Sequence, residues 1–374
     1  MSYITISEVV TKDDLWNFIR FPKTLYKRCP HYVPSLESED YATLTSHPAK
    51  EFCSIRMWLA YKNGKMVGRI AGIINHKCNE IKKQKRIRFG WFDVINDWEV
   101  ATSLMETVEN WGKREQLLEI SGPSRFSNME KQAMLIEGFD KTPPISAEYN
   151  YDYYPELVKK MGFEKEVDYV QYKVKVKEVP EHIKRLNAIL AEKYHIKIKY
   201  FKNKQALKAI GKYFFETINE SYRDIYNFIP LNEDEINWVV KSNFKVADQD
   251  LVCLLEDENG KIIGISFCLP SLSKAFQKAN GKLFPFGWIS VLKALKKNRL
   301  VDMYITGVLP EWSKKGIHSI YHCKLNEVFL EKGYQYAITS QQLENNIASR
   351  IWEKYDSEII FRRRCFVKKL SLVY

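Results

Sequence analysis

No run of eighteen apolar residues occurs anywhere in this 374-residue chain, which excludes a membrane-spanning helix. The N-terminus, Met1-Ser2-Tyr3-Ile4-Thr5, lacks a basic stretch followed by a long apolar run, so no secretory leader is expected. Cysteine is sparse. The seven thiols are scattered and never form a C-x-x-C pair, which removes the usual zinc and dithiol patterns. Free, mostly buried thiols in a reducing cytoplasm are the expectation. Disorder is excluded as well, because 45% hydrophobic and 14% aromatic residues supply a core. At roughly 150 residues per domain, the length favours two domains.

What the chain does have is a repeat. Asn63-Gly64-Lys65-Met66-Val67-Gly68 returns 196 residues later as Asn259-Gly260-Lys261-Ile262-Ile263-Gly264. Asn-Gly suits a two-residue turn with φ > 0 at both central positions, so each copy reads as a β-hairpin. Apolar runs flank both turns, Met57–Ala60 and Ile70–Ile73 around the first, Leu251–Leu255 and Ile265–Cys268 around the second.

The segments after each hairpin match in order. A strand at Ile87–Val94 precedes an amphipathic helix from Trp98 to Arg114, with Val100, Leu104, Val108 and Trp111 on one face. A short strand at Leu117–Ser121, a helix ending at Gly162 and a strand at Tyr169–Val174 follow. In the second pass a helix from Pro180 to Lys193 joins the halves, and helices are expected near 205–219 and 233–242. A strand at Leu300–Val308, a helix at Ile317–Lys332, a strand at Tyr336–Ser340, a short helix from Asn346 to Tyr355 and a last strand near 359–368 complete it. Residues 270–298 read as an insertion. Antiparallel strands followed by a strand–helix–strand crossover give an α/β chain with a mixed sheet flanked by helices.

The net charge of +12 suits a polyanion or an anionic cofactor, but it is diffuse. Its runs, 82–88, 293–299 and Arg362-Arg363-Arg364, read equally as solvated faces. The segment from Val308 to His318 is sharper. A strand ends at Val308, Pro310 breaks pairing, and a polar loop with Gly316 opens into a helix. Such a loop either merely connects, or aims free amides and the positive helix end at a diphosphate, with Lys314 and Lys315 beside it.

This segment resembles the pyrophosphate loop of the GNAT acyltransferases, V-x-P-x-x-[QR]-x-x-G-x-[GA], at Val308, Pro310 and Gly316. Ser313 replaces the usual Gln or Arg, and His318 the last small residue. Asn345 to Trp352 looks like the family's N-x-x-A-x-x-[FL]-[YW] helix, with Trp352 where a tyrosine acid is common. Tyr154 to Glu164 is similar to the family's closing Y-x-x-x-G-F-E segment. Gly122-Pro123, Phe126-Ser127, 137–140, Pro143-Pro144, Tyr149-Asn150, 228–231 and 281–285 resemble a bacterial group of uncharacterised tandem GNAT-type proteins.

The resemblance implies two tandem GNAT-like acyl-CoA N-acyltransferase domains, 1–177 and 178–374. The first starts its helix with Asp93, Asp97 and Glu99 nearby, which repel an anion, so its cradle is not expected to work. Acetyl-CoA or CoA would bind the second, on Val308, Leu309, Ser313, Lys314, Lys315, Gly316, Ile317 and His318, with Asn345 on the pantetheine arm. Asp302 is either the base or an edge-facing carboxylate, and Tyr304 and Tyr355 either protonate the thiolate or are core or rim residues. His318 and His322 lack a third ligand, so no metal is expected.

The implied reaction is acyl transfer to an amine on a small molecule or peptide, by a cytoplasmic enzyme with no membrane partner. A transferase using aminoacyl-tRNA and an inactive CoA-binding scaffold stay open, although no basic helical arm supports nucleic acid. The segment 122–154 is either a substrate-facing wall or packing between domains.

Overall fold

The computed structural model describes residues 3–244 and 246–371, with the side chains of Asn243 and of residues 347–350 outside the description. The first half contributes β1 (Ile4–Glu8), β2 (Cys53–Lys62), β3 (Lys65–Asn75), β4 (Arg86–Val94), β5 (Glu119–Gly122), β6 (Met134–Glu137) and β7 (Glu164–Lys175). The second contributes β8 (Lys197–Lys199), β9 (Val252–Glu256), β10 (Ile262–Pro270), β11 (Leu300–Val308), β12 (Tyr336–Ile338), β13 (Gln342–Leu343) and β14 (Ser357–Lys369). All fourteen form one mixed sheet in the order β1-β2-β3-β4-β5-β14-β7-β12-β11-β10-β9-β8, with β6 beside β14 and β13 beside β7.

That order has an internal two-fold: β5 to β1 run outward on one side as β12 to β8 do on the other. Among the described residues only β4–β5 and β11–β12 pair in parallel. At the centre the closing strands are exchanged. β14, from the end of the chain, pairs with β5 of the first half, and β7 pairs with β12 of the second. The cores follow the exchange. Phe366 and Leu370 pack with Leu104, Trp111 and Ile120, while Val170, Tyr172 and Val174 pack with Val301, Ile320 and Leu325. The expected boundary at 177/178 falls between β7 and the helix Glu181–Lys193.

Helices cover both faces. Trp98–Arg114 buries Val100, Leu104, Val108 and Trp111 on one face of the first half, and Lys12–Leu25 and Glu37–Ser46 lie on the other. In the second half His318–Glu331 and Glu181–Lys193 pack on one face, and Gly211–Tyr222 and Glu233–Asn243 on the opposite one.

Several details differ from the sequence reading. The first hairpin turn has φ of +51° at Asn63 and +75° at Gly64, as Asn-Gly requires. In the second only Gly260 is positive, at +79°. The reason is Asp257, whose carboxylate accepts from the amides of Asn259 and Lys261 and holds a wider turn. At the N-terminal end, β1 leads into the helix Lys12–Leu25, which continues through Pro22. The insertion holds two helices, Ser273–Ala279 and Gly287–Lys296.

Candidate active site

Parallel pairing between β11 and β12 lasts for three residues, ending at Asp302 opposite Ile338. Beyond it the strands part. β11 also carries a bulge, because its register against β10 skips Tyr304, between Met303 opposite Cys268 and Ile305 opposite Phe267. The first half repeats both features, with pairing that ends at Arg88 and a bulge at Trp91-Phe92.

The two splays differ in what fills them. In the first half, Tyr154 Oη accepts from the Val94 amide at 2.8 Å and Tyr153 Oη donates to the Val94 carbonyl at 2.7 Å. Ser124 donates to the Phe89 carbonyl, and a Cβ on Gly90 would lie 2.5 Å from the Ser124 oxygen. Asp93 sits buried beside Arg69 at 2.8 Å and Tyr26 at 2.9 Å. The end of β4 is therefore closed by protein groups.

At the end of β11 the backbone is more open. Val308 pairs with Gly264, and Leu309 donates its amide to the Ile263 carbonyl and buries its side chain. Pro310–Ser313 forms one helical turn, with the Ser313 hydroxyl on the Pro310 carbonyl. Gly316 has φ of +74°, and a Cβ placed on it would meet nothing closer than Leu190 Cδ1 at 4.0 Å. Among the described residues the amides of Gly316, Ile317 and His318 have no backbone acceptor. Three free amides at the start of a fourteen-residue helix fit a diphosphate.

The loop's side chains contribute less than expected. Lys314 is exposed, but the Lys315 ammonium lies over the Trp312 ring at 3.8 Å and near Tyr194. Ile317 is fully buried in the core. Burial lowers the pKa of His318 and pulls His322 down to about 3, which keeps the His322 imidazole neutral. The helix Glu181–Lys193 braces the site, with Asn187 Nδ2 donating to the Ser319 carbonyl and the Ser319 hydroxyl donating to Asn187 Oδ1 at 2.5 Å.

Asp302 and Tyr304 lie on the sheet face opposite the helix His318–Glu331. Asp302 is 3% exposed, and one of its carboxylate oxygens has no partner among the described residues. Burial raises its pKa to about 7, opposed only by a hydrogen bond with Ser271. Tyr304 packs edge-on to Phe267 and is pushed up by burial. The third catalytic candidate lies elsewhere. Tyr355 is 40% exposed and packs on Trp352, which is edge-on to His322 and donates Nε1 to Gln342. Asn345 is exposed in the loop after β13.

Tyr304 lines a cavity of about 630 Å³ between the two halves. Its walls come from the helices Glu37–Ser46 and Glu233–Asn243, the segment 125–146 and the insertion. Segment 122–154 thus lines the cavity through Arg125, Glu130 and Lys131, and also bridges the halves. Asn128 donates to the Tyr226 carbonyl, and Ser273 to that of Pro143.

Sequence reasoning missed the polar groups of this chamber. His47 Nδ1 accepts from the Ala49 amide, which leaves the ring proton on Nε2, and burial lowers its pKa to about 4. Burial lifts Glu130 to about 7 against the pull of Arg125. Glu235 is also raised by burial, and Glu130 adds to the effect. Glu235 Oε1 has no partner among the described residues, while its other oxygen closes the capping box of Asn232. Arg125 pairs with Glu148 and lies 4.3 Å over the Trp91 ring. These residues come from four distant segments, so the local Asn-x-x-Glu box was the only signal in the sequence.

Compared with solved structures, the chain superposes end to end on a tandem GNAT protein from the clavulanic acid biosynthesis pathway. The match covers 100% of both chains with a TM-score of 0.57 and 9% identity. The fold is tandem GNAT. No protein-family model matches the chain. Two sequence relatives share this length of chain. Protein YghO of Escherichia coli K12 is 26% identical, covering 96% of this chain and 94% of its own. Bacterial ceramide synthase of Caulobacter vibrioides is 26% identical, covering 78% and 77%. The GNAT resemblance of the loop and the whole-chain superposition thus agree on architecture.

Proposed function

We propose that this tandem GNAT protein is an acyl-CoA-dependent N-acyltransferase with its donor site in the second unit and its acceptor site in the chamber. The observation that carries the reading is Asp302. It is a buried carboxyl with an oxygen that has no partner among the described residues, at the last paired position before β11 and β12 part, close behind Tyr304, which lines the chamber.

The free amides of Gly316, Ile317 and His318, with Lys314, would hold the diphosphate of acetyl-CoA or a longer acyl-CoA. Bound there, the thioester would supply an activated carbonyl. Asp302, with a pKa near 7, takes the proton of the arriving ammonium and leaves a nucleophilic amine. The chamber holds the amine in place and excludes water. Tyr304 lies nearer this chemistry than Tyr355, which we assign to the rim. The first unit, whose β4 end is closed by Tyr153 and Tyr154, serves as a wall of the chamber and not as a second donor site.

The acceptor is further narrowed by two supports. The chamber is lined largely by apolar side chains, among them Val33, Leu36, Met129, Leu269, Leu272, Phe276. One relative is named a bacterial ceramide synthase, and a ceramide is the amide of a long-chain amino alcohol. A long-chain amine is therefore the acceptor class we favour over a peptide or an aminoacyl-tRNA.

Isothermal titration with CoA and thiol-release assays with acetyl- and palmitoyl-CoA over an amine panel test this. Binding of CoA should be lost in Gly316→Asp, and turnover with long-chain amines should be lost in Asp302→Asn with CoA binding retained. Absence of CoA binding to the wild-type protein sinks the donor assignment.

A further inference from the structure

The insertion carries a feature that acyl transfer alone does not require. Phe284, Phe286, Trp288 and Leu292 are 79%, 74%, 42% and 47% exposed and lie within nine residues of chain. Exposed aromatics at this density cost solvation and mark an interaction surface. The helix Gly287–Lys296 that follows has no fully buried residue. Trp288 Nε1 is already bonded to the Pro285 carbonyl at 2.9 Å, so its indole is outward without an unmet polar group.

The charge around the patch has one sign. Between Lys261 and Asp302 the chain has no acidic residue, yet it carries Lys274, Lys278, Lys282, Lys293, Lys296, Lys297 and Arg299. All seven are exposed, and among the described residues none of them takes part in an ion pair. The nearby Glu37, whose amide donates to the Gly281 carbonyl, is held by Arg20 and Lys23. The inner side of the same segment faces the chamber through Leu283 and Val291, beside Leu272 and Phe276. The segment is therefore the wall between the chamber and the outside.

We propose that residues 282–299 dock on an anionic phospholipid surface, with Phe284, Phe286 and Trp288 at headgroup depth and the lysines on the anionic headgroups. Outward aromatics flanked by unpaired cations are the chemistry of an interfacial anchor. A soluble protein partner would need matching acidic groups, whereas a bilayer supplies both apolar depth and negative charge. The proposal replaces the expectation of no membrane partner, which rested on the lack of a span. Vesicle binding needs no turnover, so it stands or falls apart from the acyltransferase reading.

The test is co-sedimentation of the full chain with vesicles of phosphatidylcholine alone or mixed with phosphatidylglycerol. Binding is expected only to the mixed vesicles. Phe284→Ser/Phe286→Ser/Trp288→Ser should weaken partitioning at least about tenfold, and Lys293→Glu/Lys296→Glu/Lys297→Glu should abolish the preference for anionic lipid. Hydrogen exchange of the wild type should slow across 283–292 when vesicles are added, which decides the matter even if a variant misfolds. Three results overturn the proposal: no vesicle binding, equal binding by the aromatic variant, or self-association in sedimentation velocity that the aromatic variant abolishes while vesicles are ignored.

Discussion

At Asp302 the cost of ionisation inside the protein can be set against its use. Burial moves the carboxyl from 3.8 to about 7, so folding favours the protonated form. Stability tied to this group is complete below the unfolded value and is lost as pH rises through 7. Asp302→Asn should therefore gain on the wild type by roughly 2–3 kcal/mol between pH 5 and pH 8, read from denaturant unfolding at both pH values. Turnover should move the other way. The wild-type rate rises through about pH 7 as the base ionises, and the Asn variant should lose that limb and about 10²–10⁴ in rate. A variant that gains no stability at pH 8 would show that the carboxyl is solvated. One that kept the pH limb would move the base to a chamber-lining group such as Glu130, also raised to about 7.

Elements show where sequence pattern is enough and where it is not. Trp98–Arg114 has the bounds expected from its apolar spacing, because a helix face is written within the helix. The strand at Leu300–Val308 is likewise where it was expected. The loop before His318 was legible because a strand end, a proline and a glycine lie within nine residues. The partners of β7 and β14 were not legible, since a strand's alternation fixes its faces but not its neighbour. Each could close its own half or the other. β14 can be tested directly, because Phe366 is fully buried in the first unit's core though it lies near the end of the chain. Phe366→Ala should cost roughly 3–5 kcal/mol. Hydrogen exchange should quicken first in β5 and Trp98–Arg114, not in His318–Glu331. Quicker exchange in His318–Glu331 alone would contradict the exchanged pairing.

For the whole molecule, the exchange makes the two GNAT units mutually dependent. The first unit lacks its β5 neighbour without residues 366–369, and the second lacks its β12 neighbour without residues 173–175. An isolated fragment 1–177 would expose the free edge of β5 and the apolar site of Phe366 and Leu370, a template for aggregation. Fragment 178–374 would lose the packing of Val170, Tyr172 and Val174 against its own helices. Neither fragment should fold alone, whereas co-expression should yield a soluble 1:1 complex by size-exclusion chromatography with light scattering. The chamber adds a functional readout, since Glu130 comes from one fragment and Glu235 and Tyr304 from the other. Activity should return only in the mixed complex. A folded, monomeric 1–177 would mean that β14 is dispensable to the first unit, and that the continuous sheet is not what holds the chamber between the halves.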